Sequence, residues 1–478
     1  MKPCVIWYPV LLVWGFSSCM AGYSQSLWTS LDQGLSTSGP RCLLEDTLSD
    51  VLYISGAFAM AGEDVISPGI VKWDGAQFSP MACGFNWDCV SPFSAGGLGN
   101  GGIVTIAFWN GELFAGGDIY SINGSPAYNV ARWDGTAWQP LASGLDGPVS
   151  RLHGYSDGLY AVGVFTHADG LEANGLARWD GTAWHAVFDL PQLSTFTINR
   201  VYDVAWYNGE LYICGNFVGA NGMVCIARHN GTSWQAVGNG IRGPFSLVNL
   251  LEVHNGLLYV AGAFAQSSPY GPPENPGCGI VTWDGENWGQ LGEGTCGSNN
   301  PTIYRMTWIL DTLYVTGQFD RIGGVPTGRV ARWDGARWCS LVPPNYFYPD
   351  VGAMGSYRDT LLVGGSFTTV GPDSINRIAK WTGGAYTSAC GGAVGVEEPL
   401  PAHRSLSFYP QPASERINLV VGSEDVGLPL MIFDATGRSV LSRFINTTNE
   451  QVDISMIAPG NYIVRMGAVS SGRLVVVR

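Results

Sequence analysis

The sequence predicts an all-β chain, and three observations carry that prediction. A phrase recurs seven times: a short apolar strand, Trp-Asp-Gly or a near copy, and an aromatic five residues after the first. A second phrase of the form Leu-Tyr-x-x-Gly-x-Phe precedes each copy. Residues 405–478 abandon both and show alternating apolar segments separated by Gly, Asn and Pro, the pattern of short antiparallel strands.

The first phrase is clearest in ARWDGTAW, which occurs at Ala131–Trp138 and again at Ala177–Trp184. Its opening aromatics are Trp73, Trp133, Trp179, His229, Trp283, Trp333 and Trp381. Their spacings of 60, 46, 50, 54, 50 and 48 residues lie in the range of propeller blades. His229 stands where the other copies have an aromatic, and it reads as a packing substitute rather than a ligand. The Asp-Gly of each phrase reads as a hairpin turn rather than a repeated acidic site.

Each repeat divides into four strands. Strand A ends at a turn, for example Asn110-Gly111, where Asn and Gly accept positive φ. Strand B follows (VLYISGAF at 51–58, ELYICGNF at 210–217), then a longer loop. Strand C ends at the first aromatic, and strand D begins at the second. Four antiparallel strands per unit make a propeller blade, with one face of each blade expected to pack on the next. Seven blades are predicted; the alternative is eight, the last assembled from both chain ends.

A ring must close, because an open array exposes an edge that pairs with other chains. Leu27-Trp28-Thr29-Ser30-Leu31 followed by Gly34 matches the D strand Ala137-Trp138-Gln139-Pro140-Leu141 followed by Gly144. The N-terminal segment is therefore expected in the last blade, beside or in place of the strand at Tyr386.

Composition narrows the function classes. Charged residues are 13% of the chain, about half the usual share, and the net charge is -14. An acidic chain without a Lys/Arg run excludes nucleic acid and anionic membrane as expected partners. Lys2, the apolar run Val5–Phe16 and small residues to Ser24 predict a signal peptide over 1–24. No later segment is a candidate transmembrane span. Of 11 cysteines, nine remain after residue 24. Export permits disulfides; Cys83 with Cys89 and Cys278 with Cys296 are near enough to staple loops, and Cys214 and Cys225 fall on neighbouring strands. An odd count leaves at least one thiol outside any intramolecular pair.

The domain boundaries read as propeller 25–390, linker 391–404 and C-terminal module 405–478. In the propeller, the A–B and C–D turns share one face, and the longer B–C and D–A loops share the other. Variable loops on a rigid frame are the usual place for recognition. Trp87, Asp88, Tyr128, Tyr270 and Glu274 are the ligand-binding candidates there, the aromatics for stacking on a sugar or gripping a peptide; each equally reads as packing for its own loop. No catalytic residue is assigned, and no metal site or cofactor is expected: no zinc-type Cys/His spacing, nucleophile elbow or phosphate loop occurs. The recurring Arg132, Arg178, Arg228 and Arg332 read as cross-blade ion pairs or as stems covering tryptophan.

The propeller phrases resemble those of the kelch and galactose-oxidase-like group and of secreted bacterial delta-60-type repeat proteins. The resemblance covers roughly 28–390 and implies blade architecture, not activity. The regular Gly-Gly pairs of kelch proteins are missing, and nothing marks a copper site. The C-terminal module resembles the type A sorting domain of the Bacteroidetes type IX secretion system. Tyr409-Pro410-x-Pro412-Ala413-Ser414, Asp434-x-x-Gly437-Arg438 and Ala458-Pro459-Gly460-x-Tyr462 occur in the family's order. This resemblance implies a small antiparallel β-sandwich and a partner in the outer-membrane translocon and sorting machinery. It also implies a secreted or surface-attached product that has crossed the periplasm.

These observations favour an exported, non-catalytic propeller that binds an extracellular glycan or protein on its variable loop face. The alternatives are an extracellular polysaccharide hydrolase or lyase, which needs acids and histidine converging over the channel, and a structural surface or adhesion protein.

Overall fold

A computed structural model describes residues 27–81, 93–94, 102–122, 125–187, 200–243, 246–266, 275–298, 301–342, 347, 349–371, 373–383, 404–422, 426, 429–433, 439–466 and 470–477. The segment expected as a signal peptide (1–24) and most of the expected linker lie outside these residues. The chain forms two compact units.

The first unit is built from four-stranded antiparallel sheets, seven among the described residues. Sheet 1 comprises Pro40–Asp46, Val51–Gly56, Ile70–Trp73 and Phe78–Pro80, in that spatial order. Sheets 2 to 6 repeat it, each with strands A to D in sequence order. Sheet 7 takes Ala353–Tyr357, Thr360–Gly364 and Ile378–Trp381 from the end of the repeat region and Trp28–Ser30 from its beginning. The N-terminal strand is thus the D strand of sheet 7, in register with Trp28 opposite Trp381. It occupies the position that sequence left open to Tyr386, which lies outside the described residues.

Successive sheets pack face to face. Phe114 and Val130 of sheet 2 share a core with Leu152, Leu159 and Trp179 of sheet 3. Leu362 and Ile378 of sheet 7 share one with Leu52 and Ile54 of sheet 1. The ring therefore closes by side-chain packing as well as by strand pairing. Both faces of the middle strands are buried; every residue of Gly158–Gly163 is inside. Each blade packs one face on the next and the other on the blade before, so its middle strands read as near-continuous apolar runs and not as period-2 alternation.

The turns follow the residues. Asn110 and Gly111 have φ of 49° and 79°, the positive pair that a tight hairpin requires. Asp134 Oδ1 accepts the N–H groups of Thr136 and Ala137 at 2.8 Å, and Asp180 Oδ1 does the same for Thr182 and Ala183. These bonds hold both carboxyls well below the usual range, the backbone N–H donors contributing most. The recurring carboxylates thus tie turns. Across each turn the two aromatics meet: Trp133 and Trp138 at 5.3 Å, Trp179 and Trp184 at 5.6 Å, His229 and Trp234 at 5.1 Å.

Of the recurring arginines, Arg132, Arg178 and Arg228 form ion pairs within their own sheets, not between blades. Arg132 reaches Glu112 at 2.9 Å and Arg228 reaches Glu210 at 3.0 Å, each joining strands C and B. Adjacent strands in one sheet bring these side chains together at a shorter reach than the neighbouring blade does. Both pairs are partly solvated and contribute at most about 1 kcal/mol each.

Cys278 and Cys296 form a disulfide. Cys339 is also disulfide-bonded, to a partner outside the described residues. Cys214 and Cys225, on neighbouring strands of sheet 4, are free thiols, as is Cys42.

The second unit is a two-sheet sandwich. One sheet orders Arg404–Ser405, Ser470–Val476, Gly460–Met466, Pro429–Phe433 and Ser439–Phe444; the other orders Ser407–Tyr409, Arg416–Val420 and Asn449–Asp453. All pairs are antiparallel except the first, where Arg404 and Ser405 run parallel to Ser470–Val476. The core between the sheets includes Ile417, Leu430, Ile432, Val452, Val464 and Leu474.

Candidate functional site

The long-loop face is more ordered than its sequence suggests. Five B–C connections fold into two-residue hairpins, among them Ser121–Ile122 with Ser125–Pro126 and His167–Ala168 with Leu171–Glu172. D–A segments pin them. Asp146 accepts N–H bonds from Thr166 at 2.7 Å and His167 at 2.8 Å, and its Oδ2 lies 2.9 Å from His167 Nδ1. Partial burial pushes the Asp146 carboxyl up, but these donors outweigh it and lower it to about 2. Asp350 plays the same part for Ser366 in sheet 7. Gly144 approaches so closely that a Cβ would stand 2.3 Å from the Tyr128 carbonyl, and the next residue, Leu145, donates its N–H to that carbonyl.

On this pinned frame, large apolar side chains face solvent on three adjacent blades. Tyr120 (63% exposed) and Tyr128 (45%) flank the hairpin of sheet 2. Leu171 in sheet 3 and Val218 in sheet 4 are also exposed. Of the residues singled out by sequence, Tyr128 is thus on the surface of this face. Trp87, Asp88, Tyr270 and Glu274 lie outside the described residues. Sequence reasoning missed Tyr120; its signal was an aromatic directly before the Ser-Ile of a hairpin.

The channel lined by the inner strands holds a polar cluster that sequence reasoning also missed. Asp203, 1% exposed, lies on strand A of sheet 4. Its Oδ1 is 2.6 Å from His153 Nε2 and its Oδ2 is 3.5 Å from Arg151 Nε. The N–H groups of Val204 and Leu251 also donate to it, each at 3.0 Å. Burial pushes its carboxyl up, but Arg151, His153 and these bonds together hold it below the ordinary value. Arg305 on sheet 6 donates to the carbonyls of Tyr304 at 2.8 Å and Arg41 at 3.1 Å, spanning to sheet 1. The available signal was a charged residue inside an apolar A strand, at the position where other repeats carry Cys42 or Thr105.

Among the described residues no group of three or more His, Cys, Asp or Glu side chains could hold a metal ion. No helix among them is long and apolar enough to cross a membrane.

In the second unit, the Tyr462 hydroxyl donates to the Ala458 carbonyl at 2.7 Å, closing the Ala-Pro-Gly-x-Tyr turn around Pro459 and Gly460. Ala413 is fully buried and its N–H donates to Val475 at 2.8 Å, which anchors the segment begun by Tyr409, Pro410 and Pro412. Gly437 lies outside the described residues.

These two units define an exported β-propeller with a terminal sorting module. Residues 407–476 match the family described as the secretion system C-terminal sorting domain. The module is a type IX secretion sorting domain; it engages the type IX machinery, and the protein is exported to the cell surface or secreted. No curated protein matches the chain. Among solved structures it is similar to YCF48 bound to D1 peptide (12% identity, TM-score 0.44, 75% of this chain and 98% of that one). It is also similar to PorZ, a surface component of the type IX secretion system of Porphyromonas gingivalis (15%, 0.36, 91% and 65%), and to the WD40 β-propeller domain of Doa1 (12%, 0.41, 74% and 96%).

Proposed function

We propose that the propeller is a non-catalytic binding module that takes an extracellular glycan or protein on its B–C and D–A loop face. The observation that carries this reading is the row of exposed apolar side chains, Tyr120, Tyr128, Leu171 and Val218, on three adjacent blades, two of them with hydrogen-bonded loops. Exposed aromatics on an immobile frame bind without an ordering cost, and tyrosine offers both a ring face and a hydroxyl. Trp87, Asp88, Tyr270 and Glu274 belong to the same face by their place in the repeat and extend the proposed surface.

The purified chain is applied to an array of glycans and extracellular proteins, beside Tyr120→Ala, Tyr128→Ala, Trp87→Ala and Tyr270→Ala. Specific retention that falls in these variants, with thermal stability unchanged, is the expected result. Turnover of a polysaccharide with no retention would replace this reading by the hydrolase or lyase alternative.

A further inference from the structure

Arg151, Asp203 and Arg305 each follow a β-bulge on the innermost strand of their sheets, so they stand at one level of the channel. They are the third or fourth residues of strands entered from the D–A loops. At about 3.3 Å per residue this level lies roughly 10 Å inside the variable face. The equivalent positions on sheets 1 and 2 are Cys42 and Thr105, which bring no cation.

The charges at this level do not balance. Asp203 is already committed to Arg151, His153 and two backbone N–H groups. Arg305 has no carboxylate partner among the described residues; neutral carbonyls accept two of the five N–H bonds a guanidinium offers. His153 shares the Asp203 carboxylate and adds no negative charge. Two guanidinium groups therefore share one carboxylate at this level among the described residues. Burial first, and the Arg151 charge second, lower Arg305 to about 10, so it stays cationic at neutral pH. A half-buried surplus cation is costly unless an anion accompanies it. Arg305 is only half-buried, so the level remains open to a small solute.

We propose that this level of the channel is a binding site for one small monovalent anion, a carboxylate or a halide, held by Arg305 together with Arg151. The planar guanidinium fork matches a carboxylate, and a halide satisfies the same surplus charge. The net charge of -14 disfavours polyanions. The site is independent of the loop-face reading, since glycan or protein capture on the rim requires neither arginine.

The test titrates sodium chloride into the full chain and, at matched ionic strength, into Arg305→Met, and follows the chloride NMR linewidth and the thermal midpoint. The wild type is expected to broaden chloride severalfold more than Arg305→Met and to gain thermal stability with chloride. Arg305→Lys, which keeps the charge, is expected to retain most of the broadening. Acetate that abolishes the broadening assigns the site to carboxylates; broadening that survives acetate assigns it to halide, and either supports the site. Wild-type broadening no greater than that of Arg305→Met overturns it. Should Arg305→Met fail to fold, absence of any chloride-specific midpoint shift in the wild type overturns it equally.

Discussion

Trp28 and Trp381 come from opposite ends of the propeller region and face each other across one strand pair, ring centroids 6.4 Å apart. Every other repeat makes this contact between aromatics five residues apart; here the ring makes it by joining its first strand to its last. Trp28 is 1% exposed and also meets Phe347 edge-on at 5.1 Å. Closure is therefore a buried aromatic contact as much as a hydrogen-bonded seam.

Trp28→Ala is expected to lower stability by about 3–5 kcal/mol, the usual cost of emptying a buried tryptophan site. Deleting residues 27–31 leaves the edge of Ile378–Trp381 open and is expected to yield soluble aggregates. Urea unfolding and light scattering read the two effects. A Trp28→Ala protein as stable as the wild type would show that the ring does not depend on this contact.

Asp203→Asn is expected to cost about 3–5 kcal/mol at neutral pH, because Arg151 and His153 lose their shared charge partner in a buried setting. The pH dependence has a definite sign. The folded carboxyl is held below its unfolded value, so its contribution is full above about pH 4 and fades as pH falls through the folded value. Acid unfolding of the wild type is expected to steepen below about pH 4 and to be shallower there in Asp203→Asn. Equal slopes would remove Asp203 from the acid response.

The cysteines should separate by reactivity. Cys214 and Cys225 are buried; burial pushes both thiols up, Cys225 to about 12. Iodoacetamide on the native protein is expected to modify half-buried Cys42 well before either, and all three after denaturation, as read by peptide mass spectrometry. Replacing Cys278 and Cys296 by alanine is expected to cost about 2–4 kcal/mol. Rapid native labelling of Cys214 would contradict its burial.

Blade architecture was legible because each repeat states its own local chemistry. Asp134 and Gly135 turn a hairpin whatever surrounds them, and Trp133 and Trp138 must then meet across it. Closure was half legible: the likeness of Trp28 to Trp138 pointed to the last blade, while the choice against Tyr386 depended on which strand reached the edge of Ile378–Trp381. Tyr128 was legible as a loop aromatic, but its exposure depends on how the Gly144 segment packs beneath it. Of the two readings of Arg132, the cross-blade ion pair failed: it pairs with Glu112 of its own sheet, because a repeat seen in one dimension does not say which neighbour a long side chain meets.

The all-β repeat, the turn chemistry and the sorting module could be read from the chain directly, since these rest on residues within a few positions of one another. Only the tertiary structure decided the closing strand, the solvent-facing row from Tyr120 to Val218 and the channel cluster of Arg151, Asp203 and Arg305. The physical reason is the ring: it brings together single residues from separate blades, and no local periodicity records which of them will share a channel.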